Sequence, residues 1–160
     1  MILFLNQYSF VLLAIGLILM AGLVLLTRKP RWNDYLAFAV LTIGLFGAWV
    51  ILHPRQTPLM DDARMVREMI GAGTPVLLEY QSPYCLACTA IQPVVDSLEA
   101  ELGARAHIIR INAQETAGRE LAPVYKFGYT PTFILFDAEG NELWREVGGL
   151  DAARVRDSLK

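Results

Sequence analysis

Residues 76–93 read VLLEYQSPYCLACTAIQP, and this stretch decides the fold. Its apolar first third, 76–81, suits a strand buried on both faces, and helical apolar spacing begins at Cys85. Cys85 and Cys88, the only two cysteines of the chain, therefore lie where a strand passes into a helix. Backbone N–H groups and the dipole at a helix start favour an anion, which predicts a nucleophilic Cys85 thiolate near neutral pH.

Cys88 follows about one helical turn later, close enough to attack a mixed disulfide formed at Cys85. We expect attack by Cys85 and resolution by Cys88 to take place at different exposures.

Three other interpretations of the cysteine pair stay open on these residues alone. Structural zinc needs four ligands, and the only other soft candidates are His53 and His107. A Cu(I) carrier can use two thiolates, although no nearby Met or His supports it. A structural disulfide across two intervening residues closes too small a loop to restrict the unfolded chain much.

Short apolar strands alternate with helical patterns after Pro58. We expect strands at 74–81, 106–112, 132–137 and 142–147, and helices at 60–73, 85–102, 115–127 and 150–159. The order begins with a strand, a helix and a strand and ends with two strands around a turn. It predicts an α/β domain over residues 58–160, a mixed sheet flanked by helices.

This domain resembles the thioredoxin family, and the likeness extends well beyond the two cysteines. Glu79 matches the family's acidic residue six positions before the first cysteine, and Pro93 matches the proline five positions after the second. Pro131, in VYKFGYTPTFILF, matches the family's cis-proline, and Gly148 matches a glycine after the last strand.

The resemblance implies a role for each residue of the site. Glu79, whose apolar neighbours indicate burial and hence a raised pKa, would relay a proton at Cys88. A cis bond at Pro131 would hold Thr130 beside the sulfurs, where its backbone pairs with an extended substrate. Tyr84, directly before the nucleophile, would shape the contact surface. No bound cofactor is expected.

Leu86 and Ala87 separate the cysteines where cytoplasmic thioredoxins have Gly-Pro. This CxAC pattern is similar to the C-terminal domain of DsbD-type reductant transporters, which implies a reductase with Leu86 and Ala87 in its contact surface. The expected partners are protein disulfides or dithiols and an upstream thiol reductant. That reductant must be another molecule, because the apolar runs before residue 58 contain no cysteine.

Two uncharged runs precede the domain, at about 3–26 and 35–52. Each is long enough for a helix to span the hydrocarbon core, and neither has a polar face at helical spacing. We expect a two-helix transmembrane hairpin within a membrane anchor, 1–57, that ends in a short linker, 53–57. A cleaved signal peptide is the weaker alternative, because no basic residue precedes the first run and the run is too long.

Basic residues set the expected orientation, because short cytoplasmic loops are enriched in Lys and Arg. Arg28, Lys29 and Arg31 lie between the two runs, whereas no Lys or Arg precedes the first run. The hairpin loop should be cytoplasmic. Both termini and the thioredoxin-like domain should then lie outside the cytoplasm, on a bacterial inner membrane.

The net charge of each part of the chain and the small residues of the two runs indicate which other partners to expect. Residues 1–57 carry a net charge of +3 and residues 58–160 one of −5, so an acidic domain without a basic stripe should not bind nucleic acid. Membrane lipid is an expected partner.

The alternative function is an accessory subunit that packs against other membrane subunits and uses its domain for docking. It rests on small residues in the runs: Gly16, Ala21, Gly22, Gly44, Gly47 and Ala48.

Overall fold

A computed structural model describes residues 2–52 and 62–160. The predicted linker 53–57, the candidate ligand His53 and residues 58–61 lie outside the described residues. The helices are α1 (Ile2–Gln7), α2 (Ser9–Thr27), α3 (Trp32–Leu52), α4 (Ala63–Met69), α5 (Leu86–Leu102), α6 (Thr116–Val124) and α7 (Ala152–Ser158). The strands are β1 (Val76–Gln81), β2 (His107–Asn112), β3 (Thr132–Phe136) and β4 (Glu142–Val147).

The four strands form one mixed sheet in the order β2-β1-β3-β4. Strand β1 pairs parallel with β2 and antiparallel with β3, and β3 pairs antiparallel with β4. Helix α5 links the parallel pair, as a parallel connection requires. The predicted α/β fold with a mixed sheet and flanking helices is confirmed.

The sheet has an apolar core on each face, and β1 is buried along its whole length. Val76, Leu78 and Tyr80 point to the core that includes α4 and α6. Leu77 points to the opposite core, below α5 and α7. Because side chains alternate along a strand, Glu79 faces the same side as Leu77, toward the helix that carries Cys88.

Several predicted boundaries shift by a few residues. Helix α6 ends at Val124 rather than at 127, because the chain turns at Lys126, where φ is +54°. The predicted helix 60–73 is described as α4, and the Asp62 side chain caps it by accepting a hydrogen bond from the Arg64 N–H. A short 3₁₀ turn after α5, Gly103–Arg105, was not predicted.

The two apolar runs form long helices, but the first run is not one continuous helix. The chain breaks at Tyr8, so the long helix α2 begins at Ser9 and ends at Thr27, whereas the prediction was 3–26. The break arises because the residues around Tyr8 bond to the domain. Helix α3 begins at Trp32, three residues before the predicted start.

Helices α2 and α3 pack together as a hairpin joined by residues 28–31. Both are long and apolar enough to cross a membrane, and apart from Phe10 the described apolar side chains of the two helices are exposed or half-buried. Large side chains such as Leu19, Val40, Ile43 and Ile51 are two-thirds or more exposed.

Candidate active site around the cysteine pair

Cys85 lies at the start of α5 and caps it. Its Sγ accepts a hydrogen bond from the backbone N–H of Cys88 at 3.4 Å. Hydrogen bonds from the Cys88 thiol and from the N–H groups of Cys88 and Ala87 outweigh burial and lower the pKa of Cys85 to about 6. Cys85 is therefore largely a thiolate at neutral pH.

The pKa of Cys88 is shifted in the opposite direction from that of Cys85. Burial raises its pKa far above the ordinary value, and the hydrogen bond that it gives to Cys85 raises it further. Both cysteines are free thiols. The site therefore pairs an ionised sulfur with a protonated one.

The predicted difference in exposure between the two cysteines is wrong for this structure. Both side chains are 0% exposed. Residues 6–10, here called the covering segment, hydrogen-bond to Thr130, Ser82 and Leu86, which surround Cys85. The surface that these three residues form beside Cys85 is here called the groove.

Thr130 and Pro131 lie beside Cys85, and the peptide bond between them is cis. The carbonyl oxygen of Thr130 is 3.4 Å from the Cys85 Sγ. The backbone N–H of Gly148 donates to the carbonyl oxygen of Pro131 at 2.8 Å, which ties the loop to the end of β4. The loop that leads into β3 thus presents backbone groups next to the Cys85 sulfur.

Glu79 is fully buried, and burial raises its pKa to about 7 against the opposing effect of Arg110. The two residues are register partners on β1 and β2, with Arg110 Nε 3.4 Å from Glu79 Oε2. Arg110 Nη2 also reaches Asp96 and Glu99 on α5, at 2.9 Å each. A carboxyl with this pKa can accept or release a proton near neutral pH.

The predicted contact residues around the cysteines form one edge of the groove. Leu86 is 42% exposed, and Tyr84 and Ala87 are half-buried. The rings of Tyr84 and Tyr8 stack with centroids 5.4 Å apart. These three residues therefore share the surface next to Cys85 with the covering segment.

Two features of the site were not predicted from the sequence. Arg110 was assigned only to a strand, although a basic residue in an otherwise apolar strand beside the one that carries Glu79 is a recognisable signal. The covering segment was assigned to a transmembrane helix, although NQYS, residues 6–9, is a polar interruption of that run.

A structural zinc would need more ligands than the described residues around the two cysteines provide. Among residues 2–52 and 62–160, no three His, Cys, Asp or Glu side chains cluster in a way that could hold a metal ion. His107 lies at the start of β2. Within the described part of the chain, Cys85 and Cys88 therefore do not belong to a cluster of three or more such side chains.

The geometry defines a protein of the thioredoxin fold with a CxxC pair at a helix start, beside a cis-proline loop. The family model described as Thioredoxin matches residues 60–160. A chloroplastic M-type thioredoxin of Pisum sativum is 27% identical over 144 residues, which cover 85% of this chain and 81% of the relative. A thioredoxin of Synechocystis is 24% identical over 104 residues, 65% of this chain and 94% of the relative.

Solved structures agree on the fold. A thioredoxin of Fasciola hepatica matches with a TM-score of 0.53 at 20% identity and covers 62% of this chain and 93% of its own. A mutant thioredoxin of Halobacterium salinarum matches with a TM-score of 0.50 at 24% identity, covering 59% and 79%. The chain belongs to the thioredoxin family, and this membership indicates a thiol–disulfide redox function with protein thiols as substrates.

Proposed function

We propose that this chain is a membrane-tethered thiol–disulfide oxidoreductase that reduces disulfides of envelope proteins. The observation that carries the proposal is the geometry of the cysteine pair: the Cys85 Sγ caps α5 by accepting the Cys88 N–H at 3.4 Å, which favours a thiolate, and Cys88 is buried. A thiolate is the attacking species in disulfide exchange. The protonated Cys88 cannot attack a disulfide until its proton is removed.

The first step joins the enzyme to its substrate. The Cys85 thiolate attacks one sulfur of a partner disulfide, the partner's S–S bond breaks, and the other partner sulfur leaves as a thiolate. Thr130 supports this step, since its backbone is next to the Cys85 Sγ and can pair with an extended substrate segment. Tyr84, Leu86 and Ala87 border that groove.

The second step releases the substrate. Cys88 loses its proton and attacks the Cys85 sulfur of the mixed disulfide, so that the partner leaves as a dithiol and Cys85 and Cys88 form a disulfide. Glu79 is the proposed proton acceptor, since it faces the α5 side of the sheet with its pKa near 7. Two electrons from an upstream thiol reductant then restore the dithiol.

The membrane location is supported by the two long helices. An α-helix of 19 residues, as in α2, extends about 28 Å, close to the hydrocarbon thickness of a bilayer. Apart from Phe10, the described apolar side chains of both helices are exposed or half-buried. Such a large apolar surface is unfavourable in contact with water and would be covered by lipid in a membrane. With the basic loop 28–31 in the cytoplasm, the domain lies outside it on a bacterial inner membrane.

The test uses the full chain in detergent micelles. With dithiothreitol supplied, the wild type should accelerate insulin reduction, and Cys85→Ser should remove the acceleration. Cys88→Ala should instead accumulate a mixed disulfide between Cys85 and insulin, visible on a non-reducing gel. Reduction by Cys85→Ser at the wild-type rate would contradict the assignment of the nucleophile.

One observation favours a second function, an accessory subunit of a larger membrane complex. A Cβ added at Gly16, Gly22, Gly44 or Gly47 would meet nothing within 4 Å, so space is open beside these glycines, and Gly16 and Gly44 are exposed. Small residues on exposed helix faces permit close approach of other transmembrane helices. Stable co-purification with stoichiometric subunits, unchanged when both cysteines are replaced by serine, would favour this function.

A further inference from the structure

The groove beside Cys85 already contains a piece of the chain itself. Asn6 makes three hydrogen bonds to Thr130 with its side chain. Its Oδ1 accepts from the Thr130 backbone N–H at 2.8 Å and from the Thr130 hydroxyl at 3.1 Å, and its Nδ2 donates to the Thr130 carbonyl at 2.9 Å. The carboxamide thus offers one acceptor and one donor to both backbone groups of a single residue.

This pattern is the one that a peptide backbone would offer to Thr130. A residue on an added strand gives its C=O and N–H to the N–H and C=O of the residue opposite. The Asn6 side chain, which contains the same amide group, makes the same pair of bonds. A substrate backbone and Asn6 therefore cannot bond to Thr130 at the same time.

The rest of the covering segment contacts the remaining groove residues. The Ser82 hydroxyl donates to the Gln7 carbonyl at 2.8 Å, and Tyr8 stacks on Tyr84. The Ser9 hydroxyl accepts from the Leu86 N–H at 2.9 Å, where α5 has no partner of its own. In return, the Phe10 N–H in the first turn of α2 donates to the Tyr84 carbonyl at 3.0 Å.

We propose that residues 6–10 are an intramolecular substrate mimic that closes the groove beside Cys85 until an extended polypeptide displaces them. This inference rests on the proposed function, because it assigns the same groove to substrate. A polypeptide can replace the two bonds from Asn6 to the Thr130 backbone with its own, so the two backbone groups of Thr130 keep hydrogen-bond partners during the exchange. A small reagent has no backbone to offer and must wait for spontaneous opening.

The test measures how fast iodoacetamide alkylates Cys85 in the full chain in detergent micelles. Asn6→Ala removes the bonds to Thr130 and should raise the rate about tenfold, from roughly one typical net hydrogen bond lost. Asn33→Ala is the matched control, because Asn33 is an exposed asparagine in the first turn of α3. It should leave the rate unchanged.

Asn6→Asp provides a second variant of nearly the same shape. It keeps an acceptor for the Thr130 N–H but places an oxygen against the Thr130 carbonyl oxygen, so it should also raise the rate. If Asn6→Ala does not fold, this variant decides the question alone. Rates for the Asn6 variants within twofold of the wild type would overturn the proposal.

The outcome is separable from that of the proposed function. Alkylation needs only a reactive Cys85 thiolate and no turnover. Faster alkylation in the Asn6 variants without insulin reduction by any form would retain the closed groove and reject the oxidoreductase. Unchanged alkylation together with Cys85-dependent insulin reduction would reject the closed groove alone.

Discussion

At the scale of single residues, two chemically identical thiols acquire opposite acidities from their positions in one helical turn. Cys85 receives hydrogen bonds at the start of α5, whereas Cys88 is buried and gives one. The proposed nucleophile is therefore ionised near neutral pH, whereas the proposed resolving sulfur is protonated. The lowered pKa of Cys85 could be predicted from the strand-to-helix junction, because the start of a helix favours an anion independently of the rest of the fold.

Glu79 gives a pH-dependent stability that can be measured. Its pKa is about 7 in the folded protein and 4.5 in the unfolded reference, so the folded state holds its proton to higher pH. The contribution of Glu79 to the free energy of unfolding should therefore be fully present below about pH 4.5. It should decrease as the pH rises toward about 7. Glu79→Gln cannot ionise and should lack this fall, giving a difference of about 3 kcal/mol at neutral pH.

Pulse proteolysis in urea, performed in detergent across this pH range, measures the difference. Glu120→Gln is the control, because Glu120 is exposed on α6 and should follow the wild-type curve. Parallel curves for Glu79→Gln and the wild type would show that the carboxyl titrates alike in both states.

At the scale of elements, α6 lies very close to the end of β2. A Cβ added at Gly118 would collide with the backbone carbonyl of Asn112. We expect Gly118→Ala to force the two elements apart and to cost about 2 kcal/mol, typical of overpacking. The thermal unfolding midpoint of the domain should fall by several degrees, as seen by differential scanning fluorimetry.

Gly128→Ala is the matched control for this contact. A Cβ at Gly128 meets nothing within 4 Å, and its φ is not positive. Its midpoint should stay within about a degree of the wild type. Equal midpoints for the two variants would mean that the approach of α6 to β2 is not a tight constraint.

Elements differ in how far their sequences predict them. The β1–α5 stretch was predicted almost to the residue, because an apolar run and then a helical spacing are local signals. The break at Tyr8 was not predicted, because its cause lies in Thr130, 124 positions from Asn6. The contacts of Arg110 likewise depend on how β2 lies beside β1 and below α5. Periodicity reports which face is apolar, and it contains no information about such distant partners.

At the scale of the whole molecule, the lysines allow the proposed orientation to be tested without any substitution. Lys29 lies in the loop between α2 and α3, whereas Lys126 and Lys160 are exposed in the domain. In intact spheroplasts, a membrane-impermeant amine reagent should modify Lys126 and Lys160 and leave Lys29 unmodified. Mass spectrometry identifies the sites, and permeabilised cells should show all three. Modification of Lys29 alone in intact spheroplasts would reverse the orientation.

The break at Tyr8 has a consequence for the choice of partner. Asn6 is three residues from Ser9, where α2 begins, so it competes for the groove as a covalently attached ligand. Short attachments of this kind give effective concentrations on the order of millimolar. A freely diffusing polypeptide at micromolar concentration competes poorly with such a ligand. If the chain is tethered in a membrane as proposed, a polypeptide anchored in the same bilayer and held beside α2 reaches a comparable local concentration. We therefore expect the proposed membrane-tethered chain to favour substrates that share its membrane.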